Sequence, residues 1–207
     1  MKRKFFSINT YSVGSFLTVC LAVLLLSSCK KNQEPDTRSA EFKISESEKL
    51  SIPASIDIPA NAPGGNTRVA TFYAVGVQKY KAQQKADNPG VFEWVFVAPQ
   101  ADLYDITNNK VGNHSAGPSW QLTGGADSLV GQQFSPARTA PSADAGSIDW
   151  LLLMPKTGKT PTGIFANVSF IQRIATIGGK APTTAPAEEG LAIDVPYTAV
   201  YRFTKIN

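Results

Sequence analysis

His114 is the only histidine of the chain, and it stands in His114-Ser115-Ala116-Gly117-Pro118-Ser119-Trp120. An imidazole titrates close to neutral pH, so it is the side chain best suited to take and return a proton there. A hydrolase would pair it with a hydroxyl or a carboxylate. Ser115 and Ser119 are near in sequence, but the members of a catalytic triad meet through folding and not through adjacency. The Gly-Pro pair places the segment on a loop. The preferred reading of His114 is structural, with the ring hydrogen-bonding turn backbone and packing on Trp120. Three more residues stand out with it. Gln78 is polar within an apolar strand, Arg173 is flanked by apolar residues in Ile171-Gln172-Arg173-Ile174, and Trp120 offers a ring for stacking. An inward-facing Arg173 needs a partner such as Asp149 or Asp102, because a buried unpaired cation is costly. Gln78, His114, Trp120 and Arg173 are therefore the expected ligand-binding set. Trp94 and Trp150 sit in strand patterns and are assigned to the core.

Other chemistries lack their residues. The carboxylates between Glu93 and Asp194 are spread without a motif, so no pair is singled out for glycoside hydrolysis. One histidine and no acidic calcium loop give no metal-ligand spacing, and neither a metal nor a cofactor is expected. Gly64-Gly65, Gly124-Gly125 and Gly178-Gly179 are isolated doublets, not a dinucleotide-binding G-x-G-x-x-G between a strand and a helix. Binding without catalysis, of a small molecule, a glycan or a protein, is the expected function. The alternative is an extracytoplasmic hydrolase using His114.

The N-terminus carries chemistry of another kind. Lys2, Arg3 and Lys4 precede an apolar run from Phe16 to Leu26, which closes on Leu26-Ser27-Ser28-Cys29. That is the layout of a secretory signal peptide, and a cysteine directly after two small residues resembles a bacterial lipobox. Cleavage before Cys29 and a diacylglycerol on its sulfur are expected. The apolar run is roughly half of the ~20 residues a membrane-spanning helix needs, which favours anchoring over spanning. The expected organisation is a signal peptide over 1–28, a lipidated cysteine with a flexible tether over 29–50, and one domain over 51–207; the alternative to the tether's last part is a short helix from about Ser39 to Lys49. The membrane is then a partner, through Cys29, and the location is the bacterial outer membrane, facing the periplasm or the surface.

Removing the signal changes the composition. The formal net charge is +4, with 20 Lys+Arg against 16 Asp+Glu, but Lys2, Arg3 and Lys4 leave with the signal and every acidic residue stays. The mature chain is nearly neutral, so no nucleic-acid partner is expected. Cys20 leaves as well, and Cys29 alone cannot form an internal disulfide. Stability must come from an apolar core, for which the remaining length suffices.

The elements that would position these residues are strands. From Leu50 onward Pro and Gly recur, and no long stretch holds a 3.6-residue apolar period. Ser51–Gly65 reads as an irregular lead-in. Strands are expected over Val69–Lys81, Val91–Val97, Ala101–Ile106, Ser119–Leu122, Leu129–Phe134, Ile148–Met154, Ile164–Thr176 and Tyr197–Ile206. Phe92, Trp94 and Phe96 alternate on one face, and Tyr197, Ala199, Tyr201 and Phe203 on another. Ile148–Met154 is an apolar run apart from Asp149, as a strand buried on both faces would be. About eight strands in one domain imply an all-β sandwich or barrel with Gly/Pro-rich loops.

A set of spaced motifs resembles a known family. They are Gly76-Val77-Gln78-Lys79-Tyr80, Ala98-Pro99-Gln100-Ala101-Asp102-Leu103 after Trp94, Val111–Trp120, Ile148–Leu153, Ile171-Gln172-Arg173, Thr176–Pro182 and the Tyr197–Phe203 ending. Together, from about Ile52 to the C-terminus, they are similar to the family called domain of unknown function 3455. The family occurs in exported bacterial and secreted fungal proteins and implies no established activity. Its members carry two cysteines at positions matched here by Ala82 and approximately Ala185. The resemblance therefore implies that these two alanines lie close together and that a bridge has been lost as a unit.

Overall fold

The structure, a computed structural model, describes residues 39–207. The signal peptide and the lipobox cysteine Cys29 lie outside the described residues. After a helix α1 (Ala40–Ser47) come eight strands: β1 (Asn66–Lys85), β2 (Asn88–Tyr104), β3 (Lys110–Ser115), β4 (Ser119–Leu122), β5 (Ser128–Ala140), β6 (Trp150–Pro155), β7 (Val168–Gly178) and β8 (Ala192–Ile206). A single 3₁₀ turn, Gly163–Phe165, precedes β7. Each strand pairs antiparallel with the next, and β8 returns to β1, closing a barrel. Closure gives every strand a neighbour on each side over part of its length. An eight-stranded barrel encloses just enough room for side chains or one small ligand.

Two-residue periodicity sorts the side chains between the faces. Phe72, Ala74, Ala101, Leu103, Leu129, Ala199, Tyr201 and Phe203 form the inner cluster. At one end Phe165 plugs the interior, with ring centroids 4.8 Å from Phe203 and 6.4 Å from Phe72. The alternate residues Tyr73, Leu152, Ile174 and Val200 form an outer cluster with Ala40, Ile44 and Ile56. Strands β1, β6, β7 and β8 are thus apolar on both faces. This is why Trp150–Met154, the part of the expected Ile148–Met154 strand that lies in β6, is continuously apolar.

In the last part of the stretch read as a tether to Leu50 the structure shows the alternative, a short helix. Residues 40–47 are helical, and Ala40, Ile44 and Ser47 are buried against the barrel. Ser39 caps the helix by accepting from the Phe42 N–H at 3.4 Å. The Ala40 N–H donates to Asn108 Oδ1 at 3.0 Å. At the far end Arg202 donates to the Ser47 carbonyl at 2.7 Å and pairs with Glu48 at 3.2 Å, placing a cation on the negative end of the helix. Eight residues are too few for an independent helix in water, so docking holds it.

Three other expectations change. The two strands expected at Val91–Val97 and Ala101–Ile106 are one strand, β2. The supposed loop carrying His114 is strand β3, paired to β2 from Ala101 to Tyr104 and to β4 from Ser115 back to Gly112. Trp94 is not in the core. Because β3 joins β2 only from Ala101 on, the stretch before it is a ribbon with β1 alone as neighbour. The Phe92-Trp94-Phe96 alternation therefore does not face the barrel interior. Phe96 is half exposed, and Trp94 donates its indole N–H to the Thr184 carbonyl at 3.1 Å. Trp150 is buried, but in the outer cluster.

Candidate functional site

The end of the barrel opposite Phe165 is hollow. A cavity of about 620 Å³ lies there, and Gln78, His114, Trp120 and Arg173 all line it. They come from β1, β3, β4 and β7, so only closure of the sheet brings them together. Tyr201 on β8, Leu153 on β6 and Tyr80 on β1 complete the wall, with Phe96, Val97 and Lys180 at the exposed rim.

Two glycines set the geometry around Gln78. A Cβ on Gly76 would lie 2.1 Å from the Gln100 carbonyl oxygen and 2.4 Å from the Ala101 Cα, so β1 and β2 approach too closely there for any side chain. Gly179 has φ +86°, and a Cβ on it would come within 3.0 Å of Gln78 Cγ and 2.9 Å of Tyr197 Cβ. The Tyr80 hydroxyl donates to the Gly179 carbonyl at 2.6 Å, fixing the same corner from the other side.

His114 is 2 % exposed. Its Nδ1 lies 2.8 Å from the Ser119 carbonyl oxygen, an acceptor, so Nδ1 carries the proton. The ring stacks on Trp120, with centroids 4.7 Å apart and planes 16° apart, and meets Tyr201 at 4.8 Å. Burial pushes its pKa down from 6.5 to about 4; the bond to Ser119 opposes this and the positive charge of Arg173 adds to it. His114 is thus neutral at pH 7, leaving Nε2 as an acceptor. Ser119 Oγ donates to the Ala116 carbonyl at 3.0 Å and shares a hydrogen bond with Ser115 Oγ at 2.9 Å. Neither serine hydroxyl is hydrogen-bonded to the imidazole.

Arg173 does not pair with the expected carboxylates. Its Nε and Nη2 both donate to the backbone carbonyl of Asp149, at 3.2 and 2.7 Å. Asp102 points elsewhere and pairs with Lys110 at 2.9 Å. The guanidinium is therefore positioned by a neutral group. Near it lies a chain of polar side chains: Tyr201 neighbours both Arg173 and Tyr197, and Tyr197 neighbours Gln78. None of these pairs attains hydrogen-bond geometry, and Gln78 Nε2, Trp120 Nε1 and the hydroxyls of Tyr197 and Tyr201 are buried without a partner. Burial raises the pKa of both tyrosines, so they stay protonated.

Tyr201 is the wall residue that sequence reasoning passed over. It stands on the expected Tyr197–Phe203 face, where a tyrosine reads as core; only its orphaned hydroxyl distinguishes it. Among the described residues no three His, Cys, Asp or Glu side chains gather to hold a metal ion. Ala82 faces Trp94 across the β1–β2 ladder, and the Trp94 indole reaches the carbonyl of Thr184, next to Ala185.

A family model described as "protein of unknown function (DUF3455)" matches residues 63–205. No curated protein and no solved structure matches the chain.

Proposed function

The chain belongs to the DUF3455 family, and from that premise we propose that it is a non-catalytic binding module that takes a small molecule into its barrel. The observation that carries this reading is the cavity itself. A space of about 620 Å³ lies within the usual size range of small-molecule sites, and it combines apolar walls with a few converging polar groups. Those groups are supplied by Gln78, His114, Arg173 and Tyr201, from four strands that share no local sequence.

The hydrolase alternative asks for a hydroxyl or carboxylate in contact with His114. The described residues put the Ser119 carbonyl there instead, and a base with a pKa of about 4 is weak at neutral pH. Binding is the better-supported function.

A thermal-shift screen with small organic acids and sugars tests it. A ligand at one hundred times its Kd stabilises the folded state by about 2.7 kcal/mol, a clear rise in Tm. A screen in which no compound raises Tm would count against the proposal.

We also propose that the module is displayed on the bacterial outer membrane through a lipid on Cys29. The basic start, the apolar run and Leu26-Ser27-Ser28-Cys29 support this. Cys29→Ser should abolish incorporation of labelled fatty acid; undiminished labelling would refute the anchor.

A further inference from the structure

Resting on the binding function just argued, we infer that the ligand is a small apolar acid, with its ring or chain inside the barrel and its carboxylate on Arg173. The charges on the wall point this way. Arg173 and Lys180 are its basic side chains and Asp149 its acidic one, which leaves one positive charge in excess. Both cations are held by neutral atoms. Arg173 donates to the Asp149 carbonyl, and Lys180 donates to the Ala145 carbonyl at 2.9 Å. Among the described residues, no carboxylate is within ion-pair distance of either. The Asp149 carboxylate is on the exposed rim, where water screens it.

The unpartnered polar atoms agree with the charge. Gln78 is 2 % exposed, and Trp120 and Tyr201 are each 1 % exposed. The Gln78 amide nitrogen, the Trp120 indole nitrogen and the Tyr201 hydroxyl all lack a hydrogen-bond partner. The two nitrogens are donors only, and the hydroxyl donates readily. Buried donors left unmatched cost stability, which a ligand with acceptor oxygens recovers. A guanidinium matches a carboxylate with two parallel hydrogen bonds. The remaining wall, with Ile148, Leu151 and Leu153, is apolar. A sugar would set its hydroxyls against those side chains and leave the charge of Arg173 unanswered. An apolar acid answers both demands.

The test compares 2-naphthoate with its neutral isostere 2-naphthamide, by calorimetric titration of the detergent-solubilised full chain. The acid should bind about tenfold more tightly or better, the usual scale of a charge-assisted hydrogen bond. Arg173→Gln should weaken the acid about tenfold or more relative to the amide and so erase that preference. Equal affinities in the wild type, or a preference that survives Arg173→Gln, would overturn the acid and leave the binding function standing. So would a sugar that raises Tm when 2-naphthoate does not bind. If nothing binds and nothing raises Tm, both readings fail together. Should Arg173→Gln not fold, the wild-type comparison of acid and amide decides alone.

Discussion

Burial holds His114 neutral, and that has a cost in acid. The unfolded chain takes up a proton at this residue near pH 6.5, while the folded chain resists until about pH 4. Between those values the unfolded state binds more protons, so the neutral ring's contribution is complete above pH 6.5 and declines as the pH falls toward 4. The loss amounts to about 3 kcal/mol at most. His114→Phe keeps a ring on Trp120 and removes the titration. Urea unfolding at pH 7 and pH 4 should show the wild type losing about 2–3 kcal/mol more than the variant; equal losses would contradict the assignment. The four residues of the expected set were legible because each is polar, or isolated beside Gly and Pro, in a background of strand residues. Tyr201 was not, because an aromatic on an alternating face looks the same whether it packs against protein or against a cavity. The partner of Arg173 differs from the expected carboxylates for a related reason. Sequence displays carboxylates, but a backbone carbonyl such as that of Asp149 has no sequence signal.

Helix α1 is the element whose stability depends most on others. It is short, and its apolar side contributes only Ala40 and Ile44 to the outer cluster. Arg202, 4 % exposed, is its anchor at the C-terminal end through Ser47 and Glu48. Removing one partner of a buried pair is strongly destabilising, but Glu48 is about half exposed, which reduces the effect to about 2 kcal/mol. In Arg202→Met, amide hydrogen exchange should accelerate over residues 40–47 while strands β1 and β8 stay protected. Unchanged exchange in the helix would show that the apolar contacts alone hold it. Most strands were legible from alternation and turn residues, and β4 was placed to the residue. Strand β3 was not, because Lys-Val-Gly-Asn-His-Ser has little apolar alternation and is held by pairing on both sides. The helix reads as tether because its sequence is mostly polar, and its two buried apolar residues gain meaning only from the barrel face they cover.

At the scale of the whole molecule, closure of the sheet is the central event. It turns eight locally paired strands into one container, brings β1 beside β8, and divides the interior into a plugged end at Phe165 and a hollow end at His114. Sequence reading reached a sandwich or a barrel and no further, since both have the same alternation and differ only in whether the first strand meets the last. The family match begins at residue 63 and so spans every strand but not α1 or the segment that lines the outer face. The cavity belongs to the matched barrel, and the covering of its outer face to the stretch before it. The three tryptophans report separately on these regions. Trp120 is in the cavity wall, Trp94 on the β1–β2 ribbon and Trp150 in the outer cluster. Their indole N–H resonances give the most direct test of a ligand held inside the barrel. On titration with 2-naphthoate, the Trp120 indole signal should shift and saturate at one equivalent while those of Trp94 and Trp150 stay in place. A Trp120 signal that does not move, or shifts confined to Trp94 or Trp150, would contradict binding in the barrel.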